Sequence, residues 1–180
     1  FTHLGPTTHI PAFLFTSIET VKKLNKIKLA YVGDVNNIVN SFIGAASILG
    51  FHLSIATPKG YEPDSEFLKK AKESGKGLIE IVNDPKNAAK NADVLYTDVW
   101  VSMGQEKETK KKQKIFKPFQ INKDLLSLAN PDAIVMHCLP AHKGEEITEE
   151  ILEGSSSVVY EQAENKLHMG KAILEMFLKQ

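Results

Sequence analysis

From residue 27 to residue 178 the chain repeats one pattern, a short apolar run, a polar turn and a segment of helical spacing. Residues 27–32, 52–56, 78–82, 94–97 and 133–136 read as buried strands. Between them, 37–49 reads as a helix closed by Gly50, and 64–74 as an amphipathic helix capped by Asp64 and stopped by Gly75. Short helices are expected at 85–90, 124–129 and 148–152, a short strand at 157–160, and a terminal helix at 164–178. Strands that alternate with helices are joined by crossovers, which make neighbouring strands parallel and put helices over both faces. The expected fold class is therefore α/β: a Rossmann-like parallel sheet with helices on both faces, in a single domain. That domain should span 27–180, preceded by a helical segment at 1–26. No internal repeat interrupts it.

Hydrophobic residues make up 42% of the 180, which suffices for a proper core. The 22 basic residues balance 22 acidic ones, so no field steers the chain to nucleic acid or an anionic membrane. No apolar run reaches membrane-spanning length, and the first residues lack the basic-then-apolar layout of a signal peptide. One cysteine cannot close an internal disulfide, which fits a reducing, cytoplasmic setting. Phe1 rather than Met opens the chain, as in a processed, trimmed or designed product. All 22 basic residues are lysine, an absence of arginine that points to design or heavy drift. Arginine's planar fork is the usual clamp for phosphate and carbonyl oxygens, and lysine does not copy it.

Ligands of open α/β sheets bind beyond the carboxyl ends of the strands, so candidate chemistry is sought there. In Asp132-Ala-Ile-Val-Met-His-Cys-Leu-Pro-Ala-His142 an apolar strand ends at His137 and Cys138, and Pro140 stops the ladder. A thiol at that rim is either a reactive or ligand-touching group or a small buried hydrophobe, and the run alone leaves these even. Asp98 follows the strand 94–97, where an unpaired carboxylate is costly. It must pair internally or await a cation such as an α-ammonium group. Ser102 and the backbone of Met103 add polar groups beyond the same strand. Gly33-Asp34-Val35-Asn36-Asn37 is a strand-to-helix turn, but Val35 replaces the glycine that close approach to a pyrophosphate requires, which rejects dinucleotide binding. Asn36 and Asn37 are both good helix caps. Cys138 with His137 and His142 has the donors of a zinc set without a fixed spacing motif, so no metal is expected. Residues 107–117 are charged and lack apolar periodicity, which predicts a solvated helix plus loop rather than a nucleic-acid patch.

The Gly33–Asn37 turn, the run Asp93-Val-Leu-Tyr-Thr-Asp-Val-Trp-Val-Ser-Met-Gly-Gln-Glu106, the His-Cys-Leu-Pro run and Glu161-Gln-Ala-Glu-Asn-Lys-Leu-His168 occur in that order. Together they resemble the second, ornithine-binding domain of the ornithine carbamoyltransferases, from about residue 27 to the end. The Ser-Met-Gly and His-Cys-Leu-Pro runs favour the ornithine enzyme over its aspartate relative. The resemblance implies a cofactor-free transferase of arginine biosynthesis, converting carbamoyl phosphate and L-ornithine to citrulline and phosphate. It implies that Asn37, Asp98, Ser102 and Met103 hold the amino-acid end of ornithine. Cys138 and Asp98 would orient the δ-amine and accept its proton, and the Leu139 carbonyl would hold the carbamoyl amino group. The segment after Ser102 would belong to a mobile loop that closes over ornithine. Lys166 stands where the family has an arginine on the carbamoyl oxygen, so charge is kept and the bidentate fork lost. Lys143 likewise replaces an arginine.

Other family features are missing. No Ser-x-Arg-Thr-Arg phosphate loop occurs, and Pro6, Thr7, Thr8 and His9 stand on the family's His-Pro-Cys/Thr-Gln positions. Phe13, Phe15 and Ile18 make this first segment more apolar than a solvated linker, so some should face the core. These departures imply an isolated, remodelled domain that is inactive alone. Three functions stay open: an enzyme fragment needing its missing domain, an amino-acid-binding module, and a scaffold or interaction domain carrying a relic half-site. The expected partner is L-ornithine and, less directly, carbamoyl phosphate, with no nucleic acid and no membrane; homo-oligomer formation stays open.

Overall fold

The structure is a computed structural model that describes residues 8–21, 24–101 and 109–179. Its sheet has five strands, β1 (Lys28–Val32), β2 (His52–Ala56), β3 (Ile79–Val82), β4 (Val94–Thr97) and β5 (Ile134–His137), in the order β3-β2-β1-β4-β5. Every pairing is parallel, so each connection is a crossover that carries a helix. Alternate residues of each strand then meet helices on opposite sides. Leu29 and Tyr31 of β1 share a buried cluster with Phe42 and Ile43 of α2 (Asn37–Leu49) and with Ala71 of α3 (Ser65–Ser74). Ala30 and Val32 face the other way, onto Ala88 and Ala89 of α4 (Pro85–Ala89), Phe116 of α5 (Thr109–Phe116), Leu125 of α6 (Lys123–Leu126) and Ile151 of α7 (Glu149–Leu152). The fold is the expected α/β sheet covered on both faces.

Local chemistry sets the element ends. Asn36, in extended conformation, caps α2 by accepting from the amides of Ile38 and Val39. Gly50 ends α2 at φ 84, a left-handed conformation that side chains disfavour, and its N–H donates to the Ala46 carbonyl. Asp64 caps α3 through the Phe67 amide. The first helix, α1 (His9–Val21), is part of the core, because Phe13 is fully buried and meets Phe42 edge-on at 4.8 Å. Phe15 and Ile18 point outward, 38% and 49% exposed. The terminal α8 (Val159–Leu178) packs along α1, with Asn165 donating to Thr16 Oγ1 and Glu19 Oε2, both at 2.9 Å.

Two expectations are corrected. Residues 157–160 do not form a strand. Ser157 makes one parallel bridge to Val135, and α8 already begins at Val159 because Val159, Gln162 and Asn165, spaced three apart, are all buried. Of the run 107–117, the described part forms α5 and a short 3-10 turn and has a buried face: Phe116 is fully buried and Lys112 is 5% exposed. Among the described residues, no helix is long and apolar enough to cross a membrane.

Candidate active site

Strand order reverses beside β1, where the chain runs outward to β2 and β3 and returns on the other side for β4 and β5. Loops leave such a switch point in opposite directions and open a crevice past the strand ends. Gly33 permits the turn out of β1, since its φ of 145 is a conformation that L side chains rarely adopt. Three side chains from three strand ends then meet. Asn36, after β1, donates from Nδ2 to Asp98 Oδ2 at 2.6 Å. Cys138, after β5, donates from Sγ to Asp98 Oδ1 at 2.7 Å, and the Val99 amide reaches the same oxygen at 2.8 Å. Asp98, after β4, is only 6% exposed.

A carboxylate offers about four acceptor positions. Three are taken here by neutral donors, so its charge is solvated by dipoles with no cation among those donors. That is the environment an ammonium ligand would complete. Burial, and then the Asp98 charge, push the Cys138 thiol well above its ordinary range, so it stays protonated as the donor. The same environment opposes formation of a thiolate.

The turn after β5 is held from both sides. The Leu139 amide donates to His137 Nδ1 at 2.8 Å, which leaves the neutral ring's proton on Nε2, facing Glu146 Oε1 at 3.2 Å. The same Oε1 accepts the His142 amide at 2.6 Å. Buried Glu146 thereby ties both ends of the turn together. Between them Leu139 adopts φ 55, and the Leu139–Pro140 peptide is cis. A left-handed leucine is strained, and such residues persist only where their surroundings hold them. Lys166, from α8, donates to the Cys138 carbonyl.

Second-row charges surround this core. Asp34, beside the crevice, forms a buried ion pair with Lys112 of α5, 2.6 Å from Nζ to Oδ2. Burial raises the Asp34 carboxyl, against the pull of Lys112. His9, at the start of α1, is held below its ordinary value by burial and then by the Lys166 charge, with Asp98 pulling the other way. The first helix therefore brings a titratable group to the site. Two groups of metal-type donors exist among the described residues, Asp98 with His137 and Cys138, and His142 with Glu145 and Glu146. In the first, all three side chains are already engaged with protein partners.

Of the residues singled out in the sequence, Asp98, Cys138, Leu139 and Lys166 converge at the strand ends. Asn37 is exposed at the first turn of α2, while its neighbour Asn36 does the capping and also holds Asp98. Ser102 and Met103 lie outside the described residues. Glu146, the Asp34–Lys112 pair and the second role of Asn36 escaped the sequence reading.

Fold and site define an α/β domain with Rossmann-like topology and a carboxylate–thiol pair in its switch-point crevice. Residues 25–177 match the family described as aspartate/ornithine carbamoyltransferase, Asp/Orn binding domain, and the chain belongs to that family. It is similar to the ornithine carbamoyltransferase of Syntrophus aciditrophicus, 53% identical over 165 residues, which are 92% of this chain and 55% of the relative. The ornithine carbamoyltransferase of Geobacter metallireducens is 49% identical, over 99% of this chain and 59% of its own length. The crystal structure of anabolic ornithine carbamoyltransferase from Campylobacter jejuni superposes with a TM-score of 0.92 at 40% identity, covering 100% of this chain and 61% of that one. The chain thus spans little more than half the length of the relatives it matches, α1 included.

Proposed function

We propose that this chain is the ornithine-binding half of an ornithine carbamoyltransferase, with residues 27–180 as the binding unit and 1–26 as a preceding helical segment whose α1 packs against it. The observation that carries this reading is the buried Asp98 carboxylate, wrapped in neutral donors and, among the described residues, open to one more partner. Asn37, Asp98, Ser102 and Met103 take the amino-acid end of L-ornithine, and Asp98 with Cys138 orients the δ-amine. Since Cys138 stays a thiol, the carboxylate rather than the sulfur accepts the proton as the amine attacks the carbamoyl carbon and the bond to phosphate breaks. The Leu139 carbonyl takes the carbamoyl amino group, and Lys166 serves the carbamoyl oxygen through its charge. The single unpaired cysteine supports a reducing, cytoplasmic setting.

These residues orient the nucleophile, but they supply little for a departing phosphate. Catalysis needs preorganised donors at the developing charge. The 180 residues by themselves therefore bind amine without turning over. An interaction domain with a relic half-site is the competing reading. Equilibrium dialysis with labelled L-ornithine separates them: millimolar retention that D98N abolishes and that L-aspartate does not displace supports the proposal. Retention equal in wild type and D98N contradicts it.

A further inference from the structure

We propose that Asn36 is the positioning residue of Asp98, aiming its one remaining acceptor direction into the crevice. This deepens the ornithine reading and rests on it for the identity of the ligand. A carboxylate on a strand end can swing about its side-chain torsions, and each lost contact adds freedom that a ligand must remove. Here the two oxygens are pinned from opposite sides. Oδ1 is fixed by the Cys138 thiol and the Val99 amide, and Oδ2 is fixed by Asn36 alone among the described contacts. With one direction on Oδ2 taken, the described residues leave a single acceptor position open on that oxygen.

Asn36 is itself immobilised, because its Oδ1 accepts the Ile38 amide at 2.9 Å and the Val39 amide at 3.3 Å. One amide side chain thus uses its oxygen to start α2 and its nitrogen to hold the acid. Capping reduces the entropy of the donor before any ligand arrives. The geometry also fixes the amide's orientation, since a flipped Asn36 would aim its NH2 at two backbone N–H groups and its oxygen at a carboxylate.

The two roles can be separated by substitution. Serine caps a helix as well as asparagine does, but its single oxygen cannot reach across to Asp98. In N36S the melting temperature should therefore stay close to wild type, whereas in N36A it should fall. Both variants should lose ornithine affinity by roughly tenfold or more, the value of one hydrogen bond to a charged group. A ligand-free readout accompanies this: with Oδ2 no longer held by Asn36, the side-chain carboxyl carbon resonance of Asp98 should shift in N36S relative to wild type. A wild-type Asp98 carboxyl resonance and wild-type ornithine affinity in N36S would overturn the positioning role. A shifted Asp98 resonance with no ornithine binding in either protein would leave Asn36 as the holder of Asp98 and sink the ornithine reading instead.

Discussion

His9 stands where α1 begins, within reach of the charges of Lys166 and Asp98. Its imidazolium is disfavoured in the fold, so its folded value lies below the ordinary 6.5. An unfolded chain then takes up this proton at higher pH than the folded one. Its contribution is fully present above about 6.5 and is lost as pH falls through the folded value. Denaturant melts on both sides of the histidine range should show H9Q with a shallower loss of stability on acidification than wild type. Equal slopes would place His9 in solvent. At this scale the sequence was legible for type and blurred for position. Asp98 and Cys138 stand out because a carboxylate or thiol at a strand end needs an explanation, whereas adjacent asparagines look alike until the backbone decides which one leaves the loop extended. That decision assigns the cap to Asn36 and exposes Asn37.

Among elements, α5 and α1 carry the testable energetics. The Lys112–Asp34 pair is 7% and 12% exposed at its side chains, and removing one partner strands the other charge. K112M should cost on the order of 3 kcal/mol, with faster hydrogen exchange in α5, and D34N/K112M should recover much of that loss. A double variant as unstable as K112M would show that the pair contributes little. F13A should cost about 3–5 kcal/mol, because Phe13 is fully buried against Phe42, Phe51 and Tyr96. A loss under about 1 kcal/mol would mean that α1 is an appendage. Strand and helix alternation was readable because period and burial agree in β1, β2 and α2. It failed at 157–160, where Val158 and Val159 suggest a strand but buried Gln162 and Asn165 make polar contacts to Tyr96 and α1 that need helical spacing. It failed again at α5, whose lysine-rich face hides a partner 78 residues away in sequence. Nothing in the structure explains the absence of arginine.

As a whole molecule, one sheet with both faces buried, closed on one side by α1 and α8, should unfold in a single cooperative transition. Coincident fluorescence and circular-dichroism melts check this, and separated midpoints would contradict it. The chain alone should form no citrulline from ornithine and carbamoyl phosphate above background. Ornithine-dependent phosphate release that is abolished by C138A would show that the site completes itself by self-association. The central claim is that a preformed acid, held by Asn36 and Cys138 at the switch point, waits for the ornithine amine. Residue-resolved amide and side-chain shifts during titration with millimolar L-ornithine test it most directly. The account predicts saturable changes confined to Asn36, Asn37, Asp98, Val99, Ser102, Met103 and the turn after β5, with none from L-aspartate. Unchanged shifts at those residues, or equal changes with both amino acids, would contradict it.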